Sequence, residues 1–187
     1  LSTGEMLREY AAQDTPLGRD LKALLDKGEF ATDEMIIEMV RNRIGQPDCE
    51  RGFILDGFPR TLPQAEVLES LLAEKGIKLT CVLEIQVPDE IIMERILGRY
   101  SCLKCGAGYH DKFQKPKVYG VCDVCGGTEF GRRKDDNRAT VQNRLVNYRL
   151  LTYPTIPFFE KRGLLRTVDG TGTIEAVSNK IDEILGI

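Results

Sequence analysis

The chain has 187 residues, 42% of them hydrophobic and 29% charged, with a formal net charge of −3. That balance excludes a disordered polyelectrolyte and a fibre, and it disfavours a broad basic face for nucleic acid. No apolar run reaches membrane-spanning length and no signal-peptide pattern is present, so the length fits one ordinary domain with an inserted lobe.

Ser2 with Glu5 three residues on fits a capping box, and Met6, Leu7, Tyr10 and Ala11 then repeat at helical spacing. Residues 16–27 read as a second helix with Leu17, Leu21, Leu24 and Leu25 on one side and Gly28 at its close. Thr32 caps a third helix carrying Met35, Ile36, Met39, Val40 and Ile44. Phe53-Ile54-Leu55 reads as a short buried parallel strand whose C-terminal end carries Asp56-Gly57. Residues 61–75 form a helix with Pro63 in its first turn and Gly76 at its end. The run 81–87 is the next strand, and Pro88 starts a helix through Arg99. Residues 100–135, rich in Gly, Lys and Cys, break the alternation. A long helix over 137–161 is bent or interrupted near Pro154 and Pro157. A strand at 165–168 and a helix at 173–185 complete the chain. Strands alternating with helices predict an α/β layer fold, a parallel sheet flanked by helices, with 100–135 as a separate small lobe. Only three strands are found, which is thin for a sheet covered on both faces.

Of the six cysteines, Cys49 and Cys81 stand apart, while Cys102, Cys105, Cys122 and Cys125 form C-x2-C-x16-C-x2-C. Two such knuckles complete a tetrahedral thiolate site, and Gly106, Gly126 and Gly127 supply the tight turns. With four Cys ligands the metal has no open position, so it is structural zinc in a reducing compartment. Two disulfides or four free thiols are the less favoured readings of the same spacing.

Asp56-Gly57-Phe58-Pro59-Arg60 stands at a strand end, where open α/β sheets bind ligands. Gly57 permits close backbone approach, Arg60 offers a planar fork for phosphate oxygens, and Asp56 is an oxygen donor able to hold Mg²⁺ through water. A tight surface turn with a solvated arginine explains the pentapeptide equally well. Arg8, Arg95, Arg99, Arg133 and Arg144 tip the balance, because several arginines around one strand-end crevice suit a multiply charged anion.

These segments resemble the adenylate kinases of the bacterial type with a zinc-containing lid. The resemblance covers essentially the whole chain. It rests on Ser2-Thr3-Gly4-Glu5-Met6-Leu7-Arg8, on Asp56-Gly57-Phe58-Pro59-Arg60-Thr61 with Gln64, and on Arg95-x-x-x-Arg99. The four-Cys lobe, Arg133-Lys134-Asp135-Asp136, Arg144 and Val168-Asp169-Gly170-Thr171 complete it. The family implies Mg²⁺-dependent, reversible phosphoryl transfer from ATP to AMP, giving two ADP. It implies a cytoplasmic monomer whose partners are these nucleotides, with neither nucleic acid nor membrane among them. It assigns Thr3, Arg8, Gly57, Phe58, Pro59, Arg60 and Gln64 to the AMP pocket, with Gln64 reading the adenine edge. Glu29, Phe30 and Ala31 close over that base, and Arg133 and Arg144 also reach AMP. Arg95, Arg99, Gly108, Tyr109, His110 and Gly172 fall where the family holds ATP, and a satisfied surface histidine remains an equal reading of His110. Arg60, Arg99, Arg133 and Arg144 are the catalytic cations, and Asp135 and Asp136 are hinge or salt-bridge residues. The implied division is a core of residue 1, 46–97 and 137–187, an AMP-binding helical region of 2–45, and a zinc-binding lid of 98–136.

One family motif, G-x-x-x-x-G-K-[ST], does not occur in the 187 residues. The expectation drawn from the resemblance is that Leu1 is an internal position and the chain a fragment lacking its first strand and phosphate loop. Neighbouring strands would then show open edges, and the chain by itself would be poorly stable and nearly inactive. The alternatives are a kinase for another nucleoside monophosphate, against which Thr3 and Gln64 argue, and a zinc-ribbon binding module on an inactive α/β scaffold.

Overall fold

A computed structural model describes residues 1–27 and 31–187. Three helices open the chain, α1 (Thr3–Ala11), α2 (Pro16–Lys27) and α3 (Asp33–Ile44). After a 3₁₀ turn at Pro47–Cys49 comes α4 (Leu62–Glu74), followed by β1 (Val82–Gln86) and α5 (Asp89–Leu97). The small lobe holds β2 (Arg99–Cys102), β3 (Gly108–His110) and β4 (Phe130–Gly131). Then follow α6 (Arg138–Asn147), a π-helical stretch at Tyr148–Thr152, α7 (Thr155–Glu160), β5 (Leu165–Asp169) and α8 (Ile174–Leu185).

Local chemistry sets most helix starts. Thr32, Thr61, Asn137 and Thr173 each accept the N–H three residues on, which satisfies one of the first-turn donors. Ser2 is also an N-cap but makes no side-chain cap bond, so the expected capping box is absent. Its backbone is instead bridged in parallel to Asp56. The helix expected to run to Arg99 stops at Leu97, because Gly98 caps it and Arg99 opens β2. The long helix expected over 137–161 is broken into α6, the π-stretch and α7, with Pro154 at the N-cap of α7. The close expected at Gly28 lies outside the described residues.

β1 and β5 pair in parallel from Val82–Leu165 to Gln86–Asp169. The segment 53–56 is not the buried strand expected. Its ladder is confined to residues 1–3, with Asp56 N–H donating to Leu1 O (2.9 Å) and Thr3 N–H to Asp56 O (3.1 Å). Ile54 is 73% exposed. Residues 53–56 and β1 line a cavity of about 700 Å³, so each offers an open edge to it. The main apolar core lies between α2, α3 and α4, around Val40, Leu68, Leu71 and Leu72, with Phe58 packed into it. Burial of such side chains contributes about 1.5–3 kcal/mol each. Among the described residues no helix is long and apolar enough to cross a membrane.

Candidate active site and metal centre

α1 and the loop after residue 56 are locked together by Thr3. Its buried hydroxyl is within reach of two carbonyls, Asp56 O at 3.2 Å and Gly57 O at 3.0 Å. Gly57 has φ +75°, and a Cβ there would lie 2.8 Å from Arg60 Nη2 and 3.0 Å from Thr3 Oγ1. Only glycine fits both constraints. The Phe58-Pro59 peptide is cis. Arg60 Nε then donates back to Gly57 O at 2.8 Å, and Thr152 Oγ1 donates to Arg60 O at 2.9 Å.

The result is a cavity of about 310 Å³ with a mixed lining. Arg8, Arg60, Arg99, Arg133 and Arg144 line it together with the apolar Leu7, Leu25, Ala31 and Ile36. Asp56 and Thr3 also line it. Burial, then the like charge of Arg144, pushes the Arg60 guanidinium below its ordinary range. Burial, then Arg133, does the same to Arg8. Cations gathered at this cost form a site for an anion that would relieve it.

Two carboxylates hold part of this cluster. Asp136, whose side chain is 1% exposed, grips Arg99 through two bonds of 2.5 and 2.6 Å. Asp135 pairs with Arg144. The Arg99 guanidinium is raised by the Asp136 bond against its own desolvation. Burial alone would raise the Asp135 carboxyl, but hydrogen bonding and charge from Arg144 outweigh it and hold the group below its ordinary value.

Other residues assigned by the resemblance lie elsewhere. Gln64 is buried and is not among the residues that line the cavity. Its Nε2 donates to Asp33 Oδ1 (2.7 Å) and its Oε1 accepts from Arg60 N–H (2.7 Å). Thr61 Oγ1 also donates to Asp33, at 3.0 Å. Asp33 was not singled out in the sequence; its one signal is its place at the first position of a Thr-capped helix. Phe58 belongs to the core, and Pro59 faces the larger cavity. Glu29 and Phe30 lie outside the described residues. Arg95 and Gly172 do come together, but away from the arginine cluster: Arg95 Nη1 donates to Gly170 O at 2.7 Å, and Nη2 to Thr171 O and Gly172 O.

His110 is buried and satisfied. Its Nδ1 accepts from the N–H groups of Lys112 (2.9 Å) and Phe113 (3.1 Å). Both are donors, so the proton sits on Nε2 and is given to Glu94 O at 3.1 Å. Tyr109 is likewise turned into the lobe, and Gly108 is an exposed position paired with Ser101. Arg132, also not foreseen, ties the lobe to the end of α5 through Leu97 O and is held within the lobe by Asp111.

β3, β2 and β4 make an antiparallel sheet carrying the cysteine knuckles. Gly106 and Gly126, both at positive φ, return their N–H to Cys102 O and Cys122 O at 2.9 Å. The two knuckles are thus built alike. The four sulfurs all lie within 4.8 Å of one another, with Cys102–Cys125 and Cys105–Cys122 at 3.6 Å. A tetrahedral ion with metal–sulfur bonds of about 2.3 Å sets its sulfurs about 3.8 Å apart. The donor set therefore fits one closed thiolate site.

A family model described as adenylate kinase matches residues 1–164. The chain is 51% identical over 185 residues to the adenylate kinase of Paramagnetospirillum magneticum, covering 99% of this chain and 85% of that one. It is 51% identical to the adenylate kinase of Carboxydothermus hydrogenoformans, covering 86% of it, and 47% identical to that of Zymomonas mobilis, covering 83%.

Proposed function

The chain belongs to the adenylate kinase family, and from that premise we propose that it binds AMP in the 310 Å³ cavity for reversible phosphoryl transfer from ATP. The observation that carries this reading is the mixed lining of that cavity. Leu7, Leu25, Ala31 and Ile36 suit a base, and the five arginines lining the same space suit phosphate. In the transfer an AMP phosphate oxygen attacks the terminal phosphorus of ATP, the bond to the bridging oxygen breaks, and two ADP result. Charge spreads over the phosphoryl oxygens as this happens. Arg60, Arg99, Arg133 and Arg144 supply fixed positive charge to those oxygens, and Thr3 and Gly57 fix the loop that aims Arg60. Asp135 and Asp136 release Arg144 and Arg99 when phosphate competes for them.

Mg²⁺ bound with ATP supplies further neutralisation of phosphate charge. Asp56, an exposed oxygen donor at the cavity edge, is the residue of this chain fitted to hold its hydration shell. We assign the four-thiolate centre to structural zinc, since the soft, closed donor set leaves no position for substrate. Residues 98–136 act as the lid, 2–45 as the AMP-binding region, and residue 1, 46–97 and 137–187 as the core.

The test is calorimetric titration of the chain with AMP and with GMP, backed by coupled ADP formation with Mg²⁺, ATP and AMP. Because G-x-x-x-x-G-K-[ST] is not among these residues, AMP binding is the direct readout. AMP is expected to bind better than GMP, and Arg60→Ala to weaken it by about tenfold or more without loss of fold. Unchanged AMP affinity in Arg60→Ala overturns the reading.

A further inference from the structure

Tyr109 lies on β3 between Gly108 and His110, and the residue is 6% exposed. It packs against Tyr100 (centroids 5.8 Å, stacked) and Phe130 (5.5 Å, edge-on), beneath the knuckles. Its hydroxyl lies 2.8 Å from Asp123 N and 3.4 Å from Cys122 Sγ. A backbone N–H can only donate, so the oxygen accepts from Asp123. The single phenolic proton is left for the sulfur. Asp123 itself sits inside the second knuckle, and its carboxylate accepts from Lys117 N–H at 3.0 Å. One hydroxyl therefore joins β3 both to a ligand atom and to the loop that aims it.

We propose that Tyr109 is a positioning residue of the metal centre, whose O–H donates to the Cys122 thiolate and holds that sulfur in place for a bound zinc ion. The inference rests on the zinc reading of the four cysteines. A thiolate bound to metal is an acceptor only, so its bond from Tyr109 is charge-assisted and stronger than the same contact to a neutral thiol. Partners of this kind orient ligands and tune the metal, and their loss costs about 10–100-fold in metal affinity. The other three sulfurs receive no side-chain O–H bond among the described residues. The effect should fall on the bond to Cys122.

The test uses the full chain loaded with zinc, or with cobalt(II) as a spectroscopic probe. Tyr109→Phe keeps the ring and removes only the hydroxyl. Zinc retention, measured by competition with a chromophoric chelator, should fall by about tenfold or more. The sulfur-to-cobalt charge-transfer band should move to lower energy, because a thiolate without its hydrogen bond is easier to oxidise. Tyr100→Phe, which removes a hydroxyl from the same aromatic cluster, should change neither. In a Cys122→His background the tyrosine has no thiolate to serve. There Tyr109→Phe should change retention by less than about twofold, and this cycle separates hydrogen bonding from a general loss of fold. Parent-like retention and cobalt bands in Tyr109→Phe overturn the inference and leave the zinc reading standing. A parent chain that takes up neither metal overturns both.

Discussion

Arg99 and Asp136 meet in a two-pronged ion pair at the point where the small lobe joins the body, Nε to Oδ2 at 2.5 Å and Nη2 to Oδ1 at 2.6 Å. The carboxylate is almost wholly buried while the guanidinium is about one-third exposed, at 36%. Leaving the buried carboxylate unpaired is costly, so a phosphate draws Arg99 away only by competing against that cost. Asp136→Asn keeps the shape and removes the charge. It should cost about 1–3 kcal/mol in urea unfolding, the range for hydrogen bonds to charged groups. It should also tighten phosphate binding at the cavity, since Arg99 no longer has a competing carboxylate. A variant with parent-like stability and parent-like anion affinity would show that the pair is incidental.

Asp135 and Arg144 form the second such pair, with side chains 14% and 27% exposed. The Asp135 carboxyl is held below its ordinary value of 3.8. A carboxyl depressed by folding contributes stability that is complete above the unfolded value and lost as pH falls through the folded one. Asp135→Asn should therefore be less stable than the parent at pH 7, and the gap should close in acid below about pH 4. Denaturant midpoints at several pH values read this directly. A gap that stays constant into acid excludes the linkage.

Helix starts were legible in the sequence because they are local. A Thr or Asn meets its acceptor role three residues on, as Thr32, Thr61, Asn137 and Thr173 do. Ser2 makes no such bond, because the Glu5 N–H that its hydroxyl was expected to meet goes to Ser2 O at 3.1 Å. The apolar triplet 53–55 reads as buried only if both faces are covered, and Ile54 is turned to an open cavity instead. The cysteine spacing fixed a metal-sized cluster, since each knuckle is closed by its own glycine. The arginines were visible as a set, but their convergence depends on α1, the 56–60 loop, β2 and α6 packing around one space. The sequence could not show that Asp136 is buried, or that Tyr109 and His110 point into the lobe. Side-chain direction on so short a strand is decided by neighbours such as Phe130, Gly98 and the knuckles.

Gly57 is required twice over. Its φ of +75° costs a residue with a Cβ about 1–2 kcal/mol, and the Cβ would press on Arg60 Nη2 and Thr3 Oγ1. Gly57→Ala should lower stability by about that amount. It should also weaken AMP binding by about tenfold or more, because the guanidinium is pushed from the position that its bond to Gly57 O now holds and its fork no longer meets phosphate. Calorimetric titration and thermal unfolding measure the two effects separately. A stable variant with parent-like AMP affinity would mean that Arg60 is not aimed by this loop.

Gly98 has an ordinary φ of −90°, so only space is at stake there. A Cβ would fall 2.3 Å from His110 Nε2 and 2.4 Å from Cε1, well inside contact distance. The ring must leave, and with it go the bonds to Glu94 O, Lys112 N and Phe113 N. At about 1 kcal/mol each, with added crowding, Gly98→Ala should cost about 3–4 kcal/mol. The residue beside it is Arg99, which lines the cavity, so AMP binding should weaken as the corner shifts. His110→Ala loses the same bonds without the clash. If steric conflict between these two positions is the cause, the double variant Gly98→Ala/His110→Ala will be no less stable than His110→Ala alone. The two penalties then overlap where independent sites would add. Additive penalties in urea unfolding would instead place the damage of Gly98→Ala in the helix end, with His110 uninvolved.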